Sequence, residues 1–195
     1  MKSKILIFLL IFIFVVNCKQ KRIETENPQI SEANNSIKNT KIDYGKNFFD
    51  FDEVDYYSIV INEDDATKLL DNHISKLDEK RYNLIMNPQF PGLLSEIKLI
   101  GNFQELGFKK STIRPDKFSK LNKIFIEKSE QDGISAACIP IFRDILIFKK
   151  ENKITGFTKI CFDCHQYHII GTNADTKNFG EGQDYEKLGE ILYDK

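Results

Sequence analysis

Tryptophan is absent from these 195 residues, and histidine (3), methionine (2) and cysteine (4) are sparse. Charge of either sign is not in excess. Lys and Arg number 28 against 29 Asp and Glu, for a formal net charge of −1, so no basic surface for nucleic acid is expected. No apolar run reaches the roughly twenty residues of a bilayer-spanning helix; the run Ile5 to Val16 has only twelve. Gly180-Glu181-Gly182 is too short and too acidic to cradle phosphate, and no Lys-Ser/Thr follows it. Neither a His-Glu-x-x-His zinc helix nor a serine nucleophile elbow occurs. Asp50, Asp52, Glu53 and Asp55 lack the central glycine of a twelve-residue calcium loop and read as the solvated approach to a strand. No pair of carboxylates stands out for acid–base work, and no internal repeat is present. No reaction is assigned on these grounds.

What is there begins at the N-terminus. Lys2 and Lys4 precede the apolar run, and Asn17-Cys18 follows it, the three-part build of an export signal. Val15-Val16-Asn17-Cys18 resembles the lipobox of bacterial lipoproteins, although Asn17 stands where Gly, Ala or Ser is usual. That resemblance implies cleavage after residue 17 and diacylglycerol on the Cys18 sulfur. The mature chain would have 178 residues and a formal charge of −3, since Lys2 and Lys4 are removed. Lys19 is not an Asp-type inner-membrane retention signal, so in a two-membrane cell the outer membrane is favoured. Residues 18–47 are polar, with scattered isoleucines and almost no aromatics. Such a segment buries too little apolar surface to offset its ordering entropy, and it is expected to be a disordered tether. Lys19, Lys21 and Arg22 would add weak attraction to anionic headgroups.

Residues 48–195 are expected to form one domain. Glu53 to Ile61 alternates as a strand. Asn62 with Glu63, Asp64 and Asp65 reads as a helix start, and Ala66, Leu69, Leu70, His73, Ile74 and Leu77 continue at helical spacing. His73 on that face reads as a hydrogen-bonded core or boundary residue. Ser75 with Asp78 restarts a short helix through Met86, and residues 87–92 form a loop. Ile97, Ile100, Phe103 and Leu106 predict a helix from a Ser95 cap to Gly107. Pro115 opens another, with Phe118, Leu121 and Phe125 buried. Ile145 to Phe148 and Ile154 to Ile160 read as a hairpin in which Lys150 pairs with Lys153 and Asp144 faces Lys159 as an ion pair. In that register Cys138 falls opposite His165 and Ile139 opposite Cys164. His168 to Ile170 extends the sheet, and Asp184 to Tyr193 closes as a helix. The fold class is α+β: several short helices on a small antiparallel sheet, with a C-terminal β-hairpin carrying the cysteines.

The pieces VDYYSIVINEDDATKLLDN, LGFKK and CIPIFRDILIFKKENKITGFTKICFDC resemble a group of uncharacterised exported bacterial lipoproteins, marked by Cys-x-Pro before a hairpin and C-F-x-C after it. The likeness runs from about Glu53 to Tyr193. It implies no activity. It implies that Cys161 and Cys164 belong with Cys138-Ile139-Pro140, and that His165 need not be part of the design.

Cys161-Phe162-Asp163-Cys164-His165 also spells C-x-x-C-H, the attachment motif of a c-type haem. In that reading both thiols form thioethers, His165 binds iron, and Met86, His73 or His168 is the sixth ligand. Against it, the motif follows a strand, and Cys138 is left as a spare thiol. In the cysteine-cluster reading, Cys138 bonds to Cys164 or, as the second choice, to Cys161. Three thiolates with His165 or His168 would instead suit tetrahedral zinc. A thiol–disulfide exchanger fits less well, because no helix follows the C-x-x-C. The expectation is a membrane-anchored envelope protein acting as a binding or structural module without cofactor, with an envelope protein or small ligand as partner. The monohaem electron carrier is the alternative, and a metal-dependent or redox enzyme comes third.

Overall fold

The structure is a computed structural model describing residues 42–71, 75–129 and 138–193. The segment read as an export signal, Cys18, most of the segment read as a tether and His73 lie outside these residues. Among the described residues, strands β1 (Tyr44–Asn47), β2 (Glu53–Ser58), β3 (Lys109–Thr112), β4 (Ile126–Lys128), β5 (Asp144–Lys150), β6 (Lys153–Cys161) and β7 (Gln166–Ile170) are joined by five α-helices. These are α1 (Glu63–Asp71), α2 (Lys76–Ile85), α3 (Leu94–Ile100), α4 (Phe118–Ile124) and α5 (Asp184–Tyr193). Five strands make one antiparallel sheet in the order β3-β2-β5-β6-β7, and β1 pairs with β4 in a separate ribbon. The fold is α+β, with several short helices on a small antiparallel sheet and a disulfide near the C-terminal strands.

Central strand β5 shows why both faces are covered. Ile145 and Ile147 point to one side, Leu146 and Phe148 to the other, and all four are buried, as the two-residue period of a strand requires. The first side meets Ala66 and Leu69 of α1, Leu84 and Ile85 of α2, and Ile97 and Ile100 of α3. The second meets Leu121 and Ile124 of α4, Leu188 and Ile191 of α5, and the rings of Phe48, Phe49 and Phe125. Phe49 stacks on Phe148 at 4.3 Å between centroids.

Helix starts follow the local chemistry. Asn62 Oδ1 accepts the Asp65 N–H at 2.7 Å, and Ser75 Oγ accepts that of Asp78 at 3.1 Å, each satisfying an otherwise unpaired first-turn donor. Helix α3 differs from expectation at both ends. Ser95 lies inside it, and Glu96 reaches back to accept the N–H groups of Gly92 and Leu93. The helix stops at Ile100 rather than Gly107, because Gly101 takes φ 84°, a left-handed conformation suited to glycine. Phe103 and Leu106 are buried from the following turns instead, and Asn102 Oδ1 caps Gln104 N–H there. Strand β1 lies inside the segment read as tether: Tyr44 pairs with Lys128 and Asn47 with Ile126, so folded structure begins ahead of residue 48.

The β5–β6 hairpin turns at Glu151 and Asn152, both at positive φ, with Lys150 opposite Lys153 as expected. A bulge beyond Phe148/Lys149 then shifts the ladder by one, so that Asp144 faces Ile160 and Ile145 faces Lys159. A one-residue slip reverses faces. Asp144 and Lys159 therefore lie on opposite sides of the sheet, and the predicted ion pair does not form. The acidic approach to β2 is likewise not simply solvated. Asp55 is 2% exposed, and its Oδ2 is bound by Lys149 at 2.6 Å and Lys110 at 2.9 Å.

Candidate functional site

The cysteine corner is built where two hairpin ends meet. Cys161 is the last residue of β6 and pairs with Gln166, the first of β7. Phe162 to His165 make the turn between them, with His165 at φ 49°. Segment 138–143 runs in from the other side. Cys138 is bonded to Cys164 as a disulfide, with Cα atoms 6.0 Å apart and a sequence separation of 26. Among the described residues Cys161 is the free cysteine, buried with Phe142 and Cys164. Its sulfur accepts the Ile141 N–H at 3.4 Å.

Four further bonds are made here: two hold the same two segments together, and two tie segment 138–143 to other parts of the fold. Arg143 Nη1 pairs with Asp163 Oδ2 at 2.6 Å while its Nε donates to Ile61 O at 3.0 Å. Gln166 Nε2 donates to Cys138 O at 3.2 Å, and Phe142 N–H donates to Ile85 O at 2.8 Å. Thus the corner is a clamp of one covalent and several polar ties, joining the strand ends to the loop between β2 and α1 and to α2.

No known protein family, curated protein or solved structure matches this chain. The chemistry of the corner therefore rests on its own geometry.

The haem set does not come together in this disulfide form. The Cys164 sulfur is bonded to Cys138 and has no thiol to add to a vinyl group. The His165 ring stacks on Tyr185 at 4.6 Å and 11°, on the α4/α5 side. Met86 is buried in the cluster beneath α1, α2 and α3, on the opposite side of the sheet. His168 Nε2 is held at 2.7 Å from Pro91 O, and burial lowers its pKa from the usual 6.5. A tetrahedral zinc would need the same bonded sulfur, and among the described residues no three His, Cys, Asp or Glu side chains converge.

Lys159 is the residue that sequence reasoning misplaced. Its side chain is fully buried, donating from Nζ to Asn87 O at 2.6 Å and Asn83 O at 3.2 Å, at the C-terminal end of α2. There an ammonium meets carbonyls that the helix leaves unpaired. Nζ also sits 4.4 Å from the Phe142 ring centroid, so it adjoins the cysteine corner. Burial lowers its pKa to about 7.

Asp144, on the other face, accepts from Tyr56 Oη at 2.5 Å and Tyr193 Oη at 2.8 Å. Burial raises its carboxyl above the ordinary value. Lys128 pairs with Asp184 in the floor of a groove of about 1030 Å³ between β1, β4, α4 and α5, which Ile42, Tyr44, Lys123 and Ile126 also line. Burial lowers the Lys128 pKa, against the opposing pull of Asp184. Gly180, the first glycine of the Gly-Glu-Gly loop, donates its N–H to the Asp184 carboxylate at 3.2 Å; it serves the start of α5. Neither network was visible as a motif, because each joins residues more than 45 positions apart.

Proposed function

We propose that this chain is an exported lipoprotein, held to a membrane of the cell envelope through Cys18, whose folded domain acts as a binding or structural module with the cysteine corner as its covalent clamp. The observation that carries the reading is the Cys138–Cys164 disulfide, because such bonds persist in oxidising compartments and are rare in reducing ones. The N-terminal sequence supports it independently: a charged start, an apolar centre and Cys18 in a lipobox-like setting. The likeness of Cys138-Ile139-Pro140 and Cys161-Phe162-Asp163-Cys164 to exported lipoproteins points the same way. Among the described residues no helix is long and apolar enough to cross a membrane.

The test is fractionation of wild-type and Cys18→Ala full-length protein in the bacterium, followed by detergent phase separation. Wild type should be found in the membrane and detergent phases, and Cys18→Ala should lose the detergent partition. Equal partitioning of the two would sink the lipid anchor.

A further inference from the structure

We propose that Cys138, Cys161 and Cys164 form a thiol–disulfide exchange site, in which the buried Cys161 thiol converts the Cys138–Cys164 disulfide into Cys161–Cys164 and frees Cys138 as a surface thiol. Three observations carry it. Cys161 is a free cysteine packed in one cluster with Cys164. The two stand three residues apart, Cys161 closing β6 and Cys164 inside the turn that follows. Cys138 is exposed, whereas Cys161 and Cys164 are buried, so the sulfur that departs is the one water can stabilise as a thiolate.

The step balances without an oxidant. The Cys161 thiolate attacks Cys164 Sγ, and the new bond forms as the Cys164–Cys138 bond breaks. The electron pair leaves on Cys138 Sγ, which takes up the proton that Cys161 gave to solvent. The bond present in the structure is Cys138–Cys164, so the exchanged form is the minor one. Its Cys138 thiolate is then able to attack an accessible disulfide of another protein, forming a mixed disulfide and releasing the partner's second sulfur as thiolate. The inference rests on the disulfide used in the proposed function, and the assay reports that bond separately.

Full-length protein extracted from membranes under non-reducing conditions is incubated with N-ethylmaleimide at about pH 8, where thiolate is appreciable. It is then quenched and digested with trypsin without reduction. Cleavage after Lys128, Arg143, Lys159 and Lys177 places Cys138 in peptide 129–143 and both Cys161 and Cys164 in peptide 160–177. At time zero the two peptides should be linked. With time, 129–143 should accumulate carrying maleimide on Cys138, while 160–177 accumulates with an internal disulfide. Cys161→Ser should hold Cys138 labelling at background. Persistence of the linked pair with Cys138 unlabelled would overturn the proposal. Maleimide on Cys161 with the link intact would do so too, as would labelled Cys138 without an internal Cys161–Cys164 bond. Should Cys161→Ser fail to fold, the wild-type time course decides alone. Peptides unlinked at time zero would contradict the disulfide itself.

Discussion

Cutting the Cys138–Cys164 bond should weaken the domain by an amount that the loop length sets. The bond closes 26 positions of chain, and the chain-entropy relation gives about 12 cal/mol/K, or about 3.5 kcal/mol at 25 °C. Cys138 is exposed, so truncating it to Ala removes little packing. Arg143–Asp163 and the Gln166 bond to Cys138 O continue to hold the segments in the native state. The comparison belongs in a Cys161→Ala background, where Cys164 has no second partner. Urea unfolding followed by far-ultraviolet circular dichroism suits a chain without tryptophan. With a slope of about 1.5 kcal/mol/M, the midpoint should fall by about 2 M when Cys138→Ala is added. Dithiothreitol should shift the Cys161→Ala parent by the same amount and leave the Cys138→Ala variant unmoved. A loss below about 1 kcal/mol, well under the chain-entropy value, would refute the clamp as a source of stability.

Lys159→Met should change how stability depends on pH. The amine's folded pKa of about 7 lies below its ordinary 10.5, so between these values the unfolded chain holds more protons and stability rises with pH. The slope approaches about 1.4 kcal/mol per pH unit. Urea midpoints at about pH 7, 8 and 9 should climb in wild type and stay flatter in Lys159→Met; parallel profiles would remove the buried amine from the account. Tyr56→Phe leaves the buried Asp144 with Tyr193 as its one remaining phenol donor, and thermal unfolding should show a loss of about 1.5–3 kcal/mol, the range for a hydrogen bond to a charged group. An unchanged Tm would mean that the Tyr56 contact adds nothing. His165→Ala should lose no more than about 1 kcal/mol, from its stacking on Tyr185. His165→Gly should lose less than His165→Ala, because φ is 49° there. The reverse order in chemical denaturation would contradict the positive-φ turn.

Features encoded within a few residues are legible in the sequence. The caps at Asn62 and Ser75, helix α5 and the Lys150–Lys153 turn all carry their instructions locally, through side chains that bond nearby N–H groups or favour positive φ. The short strands are not. Lys109–Thr112 and Tyr44–Asn47 are exposed throughout, so they show no alternation, and only pairing with β2 and β4 makes them strands. The bulge near Phe148 is also hidden, and it has the largest consequence. It sends Lys159 beneath α2 instead of opposite Asp144. The nearness of Cys138 to Cys164 survives the slip because a shift of one residue moves a sulfur by only a few ångströms, even as it changes faces. A buried lysine on a strand resembles a solvated one in sequence, since its partners are backbone carbonyls of a distant helix.

The most direct measurement is the intact mass of the protein extracted from membranes, recorded before and after reduction. The account predicts a chain of 178 residues beginning at Cys18, carrying a diacylglyceryl group and gaining two hydrogens on reduction. An unprocessed 195-residue mass, or a mass that reduction leaves unchanged, would contradict it.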